Sequence, residues 1–208
     1  AQPDGDEFKQ ICSLLRRYSG VDFGHYKPST LRRRIGRRMV LLRLDTLKDY
    51  VSTLRQTSTE VEALFEDILI GVTSFFRDPK AFEMLKKKVF PRIIKNKPSD
   101  AAIRIWVAGC STGEEVYSLA IAITEFMEKE GVRCPVQLFG TDINEAILNR
   151  ARAGVYPESI TTDVSADRLR RFFAKAQTGY RINKSIRDMC VFARQNVIQD
   201  PPFSHVDL

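Results

Sequence analysis

The chain has 208 residues, 43% of them hydrophobic, enough for one large or two small domains with a real core. Its formal charge of +7 favours acidic partners, protein or nucleic acid alike. No stretch is long enough to span a membrane and AQPDGDEF carries no charged-then-apolar signal pattern, so the reading is cytoplasmic. Cys12, Cys110, Cys134 and Cys190 show no C-x-x-C spacing and sit among apolar neighbours. With only His25 and His205 beside them, they read as reduced core thiols, not disulfides or a metal site.

Helical patterns run over Asp6 to Tyr18, Ser29 to about Leu42, Thr46 to Gln56 and Glu60 to Ile70. Gly20 and Gly71 stand where helices stop, and Thr59 with Glu62 reads as a capping box. The second helix gathers Arg32, Arg33, Arg34, Arg37, Arg38 and Arg43 around an apolar stripe of Leu31, Ile35, Met39 and Leu42. One face packs; the cationic remainder is either a solvated face or a docking surface. VTSFF, Val72 to Phe76, followed by Arg77, suits a loop that enters an active site. Asp78-Pro79 then offers an N-cap with proline at the first helical position of a fifth helix, Lys80 to Ile94. KNKPSDAA, Lys95 to Ala102, reads as a linker.

Ile103, Ile105 and Val107 alternate with Arg104 and Trp106 as in a strand, whereas Val116, Leu119, Ile123 and Phe126 repeat at helical spacing. Between them lies Ala108-Gly109-Cys110-Ser111-Thr112-Gly113, a turn whose glycines let backbone approach a ligand. It is neither a dinucleotide fingerprint nor a P-loop, and the missing lysine argues against a triphosphate grip. Val136 to Ile143 reads as a buried strand that ends on Asp142, where a doubly wound sheet bonds ribose hydroxyls. Thr112 to Glu115 also reads as a capping box, and Asp142 also reads as the N-cap of the next helix unless Asn144 takes that place. Beyond Gly154 come VYPESI, a helix over Ala166 to Phe173, and strand-like pieces at GYRI and IRDMCVFARQN, the last centred on Cys190 to Arg194.

VTSFFRDPKAF, STGEEVYS and GTDINEAILNRARAGVYP, in this order, resemble the CheR family of chemotaxis receptor methyltransferases along nearly the whole chain. FARQNVIQDPPF looks closest to the version found in hybrids with a receptor methylesterase. The resemblance implies an α/β fold: an all-helical N-terminal domain, residues 1–80, then a Rossmann-like methyltransferase sheet, residues 81–208, with a small antiparallel subdomain near 155–190. The implied reaction is methyl transfer from S-adenosylmethionine to glutamate side chains on chemoreceptor cytoplasmic helices, leaving S-adenosylhomocysteine. By the same likeness Thr73 and Arg77 line the cofactor pocket and Arg77 is catalytic. Glu115 and Asp142 contact the cofactor, and Asn196 and Val197 meet its adenine end. Arg33, Arg34, Arg37 and Arg38 then form the docking face for receptor helices.

Physically, a guanidinium at residue 77 can hold a carboxylate through paired hydrogen bonds. The transfer needs no base, because a carboxylate oxygen is already a nucleophile. Without the likeness, a surface ion pair with Asp78 or Glu83 stays open as an alternative for Arg77, and a turn role as an alternative for Asn196. Where relatives carry an asparagine two residues before the threonine, Gly71 stands here. D-P-P-F at Asp200 to Phe203 imitates nucleic-acid amino-methyltransferases, but the fourth strand's apolar run should precede it; here Val206-Asp207-Leu208 follows, so nucleic acid is not expected as partner. Family members continue with that strand, a C-R-N segment and a tyrosine. A sheet ending here would carry an open apolar edge prone to self-association, and a non-catalytic docking fragment is the rival reading.

Overall fold

The computed structural model describes residues 5–23, 26–69, 73–95, 97–98 and 101–208. Contacts divide the chain into two units, Ala1–Ile70 and Gly71–Leu208, so residues 71–80 group with the sheet, whereas the sequence reading ended the helical domain at 80. The expected stop at Gly71, and the role of that glycine, lie outside the described residues.

The first unit holds α1 (Gly5–Ser19), α2 (Pro28–Leu41), α3 (Leu47–Gln56) and α4 (Ser58–Ile68). Each is amphipathic, and the apolar faces meet: Ile11 and Leu15 of α1, Leu31 and Ile35 of α2, Tyr50 and Leu54 of α3, and Leu64 of α4 are all buried. Gly20, at φ +75, ends α1 as expected, its N–H returning to the Arg16 carbonyl. The capping box at Thr59 does not form. Helix α4 begins at Ser58 after Thr57, which places Thr59 inside the first turn, and no side chain caps it.

The second unit opens with one helical rod in three parts: α5 (Pro79–Met84), a π-helical turn over Leu85–Val89, and α6 (Phe90–Lys95). Asp78 caps it as expected, Oδ1 accepting from the Ala81 N–H at 3.3 Å, with proline next. β1 (Ile103–Ala108), α7 (Glu114–Glu130), β2 (Val136–Asp142) and α8 (Glu145–Ala153) then wind as β-α-β-α. β3 (Val155–Tyr156), a 3₁₀ turn at Glu158–Thr162, α9 (Ala166–Phe172), β4 (Phe173–Ala176), β5 (Gly179–Ile182), α10 (Lys184–Arg187) and β6 (Cys190–Arg194) follow. The parallel sheet has the order β1-β2-β6, and β3-β5-β4 form the small antiparallel sheet. Strand β4 was not foreseen: Phe172 and Phe173 read as the end of a helix, whereas Phe173 already pairs with Ile182.

Helix α7 is the central column. Every residue from Val116 to Ile123 is buried, the pattern of a helix covered all round. Where it meets the sheet, Gly140 of β2 leaves room for the Phe192 ring and Val116. A Cβ at 140 would lie 2.8 Å from the ring and 2.9 Å from Val116 Cγ2, so no larger residue fits without displacement.

The outer edge of β1 is not bare. Asp207 N–H donates to the Arg104 carbonyl and Trp106 N–H to the Leu208 carbonyl, both at 2.8 Å. Phe203 stacks on Phe139 with centroids 4.8 Å apart and packs against Trp106, and Lys97 pairs with Asp207 at 2.5 Å. The expected open apolar edge is thus partly covered, because aromatic and ionic contacts draw residues 203–208 along β1.

Candidate active site

The chemistry gathers around the turn after β1. Gly109 (φ +68), Ser111 (φ +50) and Gly113 (φ +92) all adopt left-handed backbone, which folds the chain sharply into α7. A Cβ built on Gly109 would meet nothing within 4 Å, so the turn is open to an approaching molecule. The capping box expected from Thr112 to Glu115 is absent. Gly113 is the N-cap residue, and the Thr112 hydroxyl instead faces both carboxylate oxygens of Glu114, at 2.8 and 2.6 Å. Burial pushes the Glu114 carboxyl up; the Thr112 hydrogen bond works against that push without cancelling it. Glu115, relieved of capping, faces solvent and the cavity beside the turn.

That cavity has a volume of about 550 Å³. Thr73, Ser74, Arg77 and Asp78 form one wall, Gly109 to Ser111 and Glu115 another, and Ala81, Phe82, Leu85 and Leu119 an apolar floor. Three predicted residues, Thr73, Arg77 and Glu115, therefore share one concavity although 42 positions separate the first from the last. A roomier cavity of about 700 Å³ at the C-terminal end of α7 also holds polar groups, Thr124, Glu128 and Arg133, but it lies at the other end of that helix from the turn after β1 and contains none of the residues predicted for the site.

The segment bearing Thr73 and Arg77 is held by two adjacent aromatics. Phe75 is buried edge-to-face against Tyr156 and Phe173, with centroids 4.8 and 5.5 Å away. Phe76 sits at φ +50, a left-handed conformation that costs a bulky residue on the order of 1–3 kcal/mol and persists only where surroundings enforce it. Its N–H donates to Ser118 Oγ at 3.0 Å, and that hydroxyl donates to the Glu114 carbonyl at 2.7 Å. Sequence reading missed Ser118; a lone polar residue inside the apolar run of α7 was the available signal.

Asp142 stands at the carboxyl end of β2, outside the cavity wall but fastened to it. Oδ2 accepts from the Ser111 N–H at 2.9 Å and Oδ1 from the Asn144 N–H at 3.0 Å, so one carboxylate ties together the turns that follow β1 and β2. It does not cap α8; Asn144 does, Oδ1 accepting from Ala146 and Ile147. Beside Asp142, Asn144 Nδ2 and Gln195 Oε1 are buried without a hydrogen-bond partner among the described residues. Asn196 and Val197 lie apart from the cavity. Asn196 Oδ1 accepts from Ile198 N–H in an Asx turn, and Val197 is 56% exposed. The sheet order explains the separation, since β2 stands between β1 and β6.

The basic helix divides against expectation. Arg33 and Arg37 face solvent, whereas Arg34 is half-buried with Nε enclosed. Arg38 turns inward to form a bidentate pair with Glu60, Nε to Oε1 at 2.9 Å and Nη2 to Oε2 at 2.5 Å. Tyr50 donates to the same carboxylate at 2.8 Å. Arg38 is thus a core ion-pair residue and not part of a docking face.

Burial and the nearby Asp142 push the Cys110 thiol up to about 12, and burial alone takes Cys190 up to about 12, so neither is a nucleophile at neutral pH. Among the described residues no cluster of histidine, cysteine or carboxylate could hold a metal ion, and no helix is long and apolar enough to cross a membrane.

Residues 71–208 match the family described as CheR methyltransferase, SAM binding domain, and residues 6–69 match CheR methyltransferase, all-alpha domain. An uncharacterized 104.1 kDa protein of Rhodobacter capsulatus is 38% identical over 96% of this chain, but the chain spans 21% of its length. A chemotaxis protein methyltransferase of Borreliella burgdorferi is 26% identical over 96% of the chain and 72% of its own length. Chemotaxis protein methyltransferase 1 of Vibrio cholerae is 30% identical over 93% of the chain and 71% of its own length. Two adjoining family domains in this order, covering residues 6–69 and 71–208, mean that the chain belongs to the CheR methyltransferase family, whose larger domain binds S-adenosylmethionine.

Proposed function

We propose that the chain is the methyl-transfer part of a protein-glutamate O-methyltransferase acting on chemoreceptor cytoplasmic helices. The observation that carries this reading is the shared cavity of Thr73, Arg77 and Glu115 beside the open turn at Gly109. Its donor set suits S-adenosylmethionine. Glu115 would meet the ammonium of the methionine moiety, Thr73 would add a hydroxyl contact, and the apolar floor of Phe82, Leu85 and Leu119 would exclude water. Asp142 has lone pairs left for ribose hydroxyls after its two backbone bonds. Asn196 and Val197, beyond β6, would receive the adenine end of a cofactor laid across the strand termini.

When bound, S-adenosylmethionine supplies an electrophilic methyl group. Arg77 would orient the incoming glutamate carboxylate through its paired N–H donors, and that anionic oxygen attacks without a base. Positioning in line and exclusion of water then contribute most of the acceleration. Exposed Arg33 and Arg37 would add docking charge toward an acidic receptor helix, with Arg34 contributing in part.

Calorimetry with S-adenosylhomocysteine tests the pocket. Wild-type binding, weakened about tenfold or more in Glu115→Ala and Thr73→Ala, is expected if each side chain makes one polar contact. A folded wild-type chain that gives no heat at millimolar ligand would refute the reading.

A further inference from the structure

Arg168, on α9, lies outside the cavity, yet its guanidinium carbon sits 3.8 Å above the centroid of the Phe76 ring. The arginine is itself fixed. Nε and Nη2 reach the two carboxylate oxygens of Glu125 on α7 at 2.8 and 2.9 Å, and Lys86 pairs with the same carboxylate at 2.6 Å. These groups are largely sheltered, with 23% of the Arg168 side chain and 15% of the Glu125 side chain exposed. Phe82 meets the Phe76 ring from another direction, centroids 5.1 Å apart at 66°. The most strained residue of the 73–78 segment therefore carries a cation on its ring, a second aromatic ring against it, and the Ser118 hydroxyl on its N–H. Arg77 follows it directly and lines the cavity.

We propose that Arg168, braced by Glu125, is a positioning residue: it holds Phe76 in its left-handed conformation and so keeps Thr73 and Arg77 in the geometry that binds cofactor and substrate. A surface ion pair between α7 and α9 would need no aromatic ring beneath the guanidinium, and a desolvated cation over a ring face attracts more strongly than an exposed one. The clamp reaches from an element outside the pocket to the segment that forms its wall. This inference rests on the cofactor-binding function proposed above.

The test uses the full chain, with Arg168→Ala, Arg168→Lys, Phe76→Leu and Arg77→Ala. Phe76→Leu keeps apolar burial and removes the ring, so it still reads the clamp if Arg168→Ala fails to fold. Hydrogen exchange of the peptide covering 73–78 should accelerate in Arg168→Ala and Phe76→Leu, while amides of β1 and β2 stay protected. S-adenosylhomocysteine affinity should fall about tenfold in Arg168→Ala, the size of one sheltered cation–π contact, with partial recovery in Arg168→Lys. In a double-mutant cycle, Arg77→Ala should cost less once Arg168 is gone, because the segment is already displaced. Unchanged exchange at 73–78 overturns the clamp. So does faster exchange with undiminished affinity, or a strictly additive cycle. Absence of binding by the wild type instead refutes the proposed function, and the exchange arm still decides whether Arg168 holds the segment.

Discussion

Asp142 has an observed structural role beside its proposed ligand role. Its two oxygens bind the N–H groups of Ser111 and Asn144, which belong to different turns, and hydrogen bonds to an ionised acceptor each contribute about 1.5–3 kcal/mol. Asp142→Ala should therefore lower unfolding free energy by about 3 kcal/mol, the low end for two such bonds at a part-buried site, as well as abolish binding of S-adenosylhomocysteine. Asp142→Asn keeps one acceptor but turns its NH2 toward the other backbone N–H, so it should recover only part of the lost stability while binding weakens. Chemical denaturation beside calorimetry measures both. Equal stability of the wild type and the alanine variant would mean that the two backbone bonds are dispensable. The sequence placed this carboxylate at the end of β2 on pattern alone, but no pattern could show that the Ser111 N–H lies opposite it.

Helix α2 shows where element-level reading succeeds and stops. Leu31 and Ile35 point inward as their spacing requires, and the helix spans nearly the expected residues. Arg38, seven positions after Leu31, falls on that same buried face, and this spacing was the signal that it would turn inward. Its partner Glu60 lies 22 positions away on another helix, a pairing that local periodicity cannot reveal. Strand β4 escaped for a related reason: its few residues gain their identity from the ladder with β5. Removing Arg38 would leave Glu60, 6% exposed, as a buried charge beside Tyr50. Arg38→Ala should destabilise the helical unit by about 3–5 kcal/mol, while exposed Arg37→Ala should stay within about 0.5 kcal/mol of the wild type. Thermal melts of the two variants decide it, and similar losses for both would contradict the inward assignment of Arg38.

At the scale of the whole molecule, the order of helices and parallel strands was legible because each element carries its own period and punctuation, whereas the small antiparallel sheet was expected only from the family resemblance. The links between elements were less so, and several of them are ionic. Glu125 joins Lys86 of the π-helical turn, α7 and Arg168 of α9. Burial alone would push its carboxyl up, but the hydrogen bonds from Arg168 and Lys86 outweigh burial and hold it below the usual carboxylate range. A carboxylate whose folded value is depressed contributes stability that is present above its unfolded value, about 4.3, and lost as pH falls through the folded value. Glu114 has the opposite sign: burial raises it, so its contribution is greatest at low pH and declines as pH rises through the folded value. Between pH 6 and 3 the wild type should thus lose melting temperature more steeply than Glu125→Gln, which has no charge to surrender. Glu114→Gln should change the curve mainly at the neutral end, raising stability there by removing a buried charge. Parallel pH slopes for the wild type and Glu125→Gln would show that the three-element ion pair does not contribute to the acid limb, and that other carboxylates such as Asp207, held down by Lys97 and the Arg104 N–H against its burial, carry it instead.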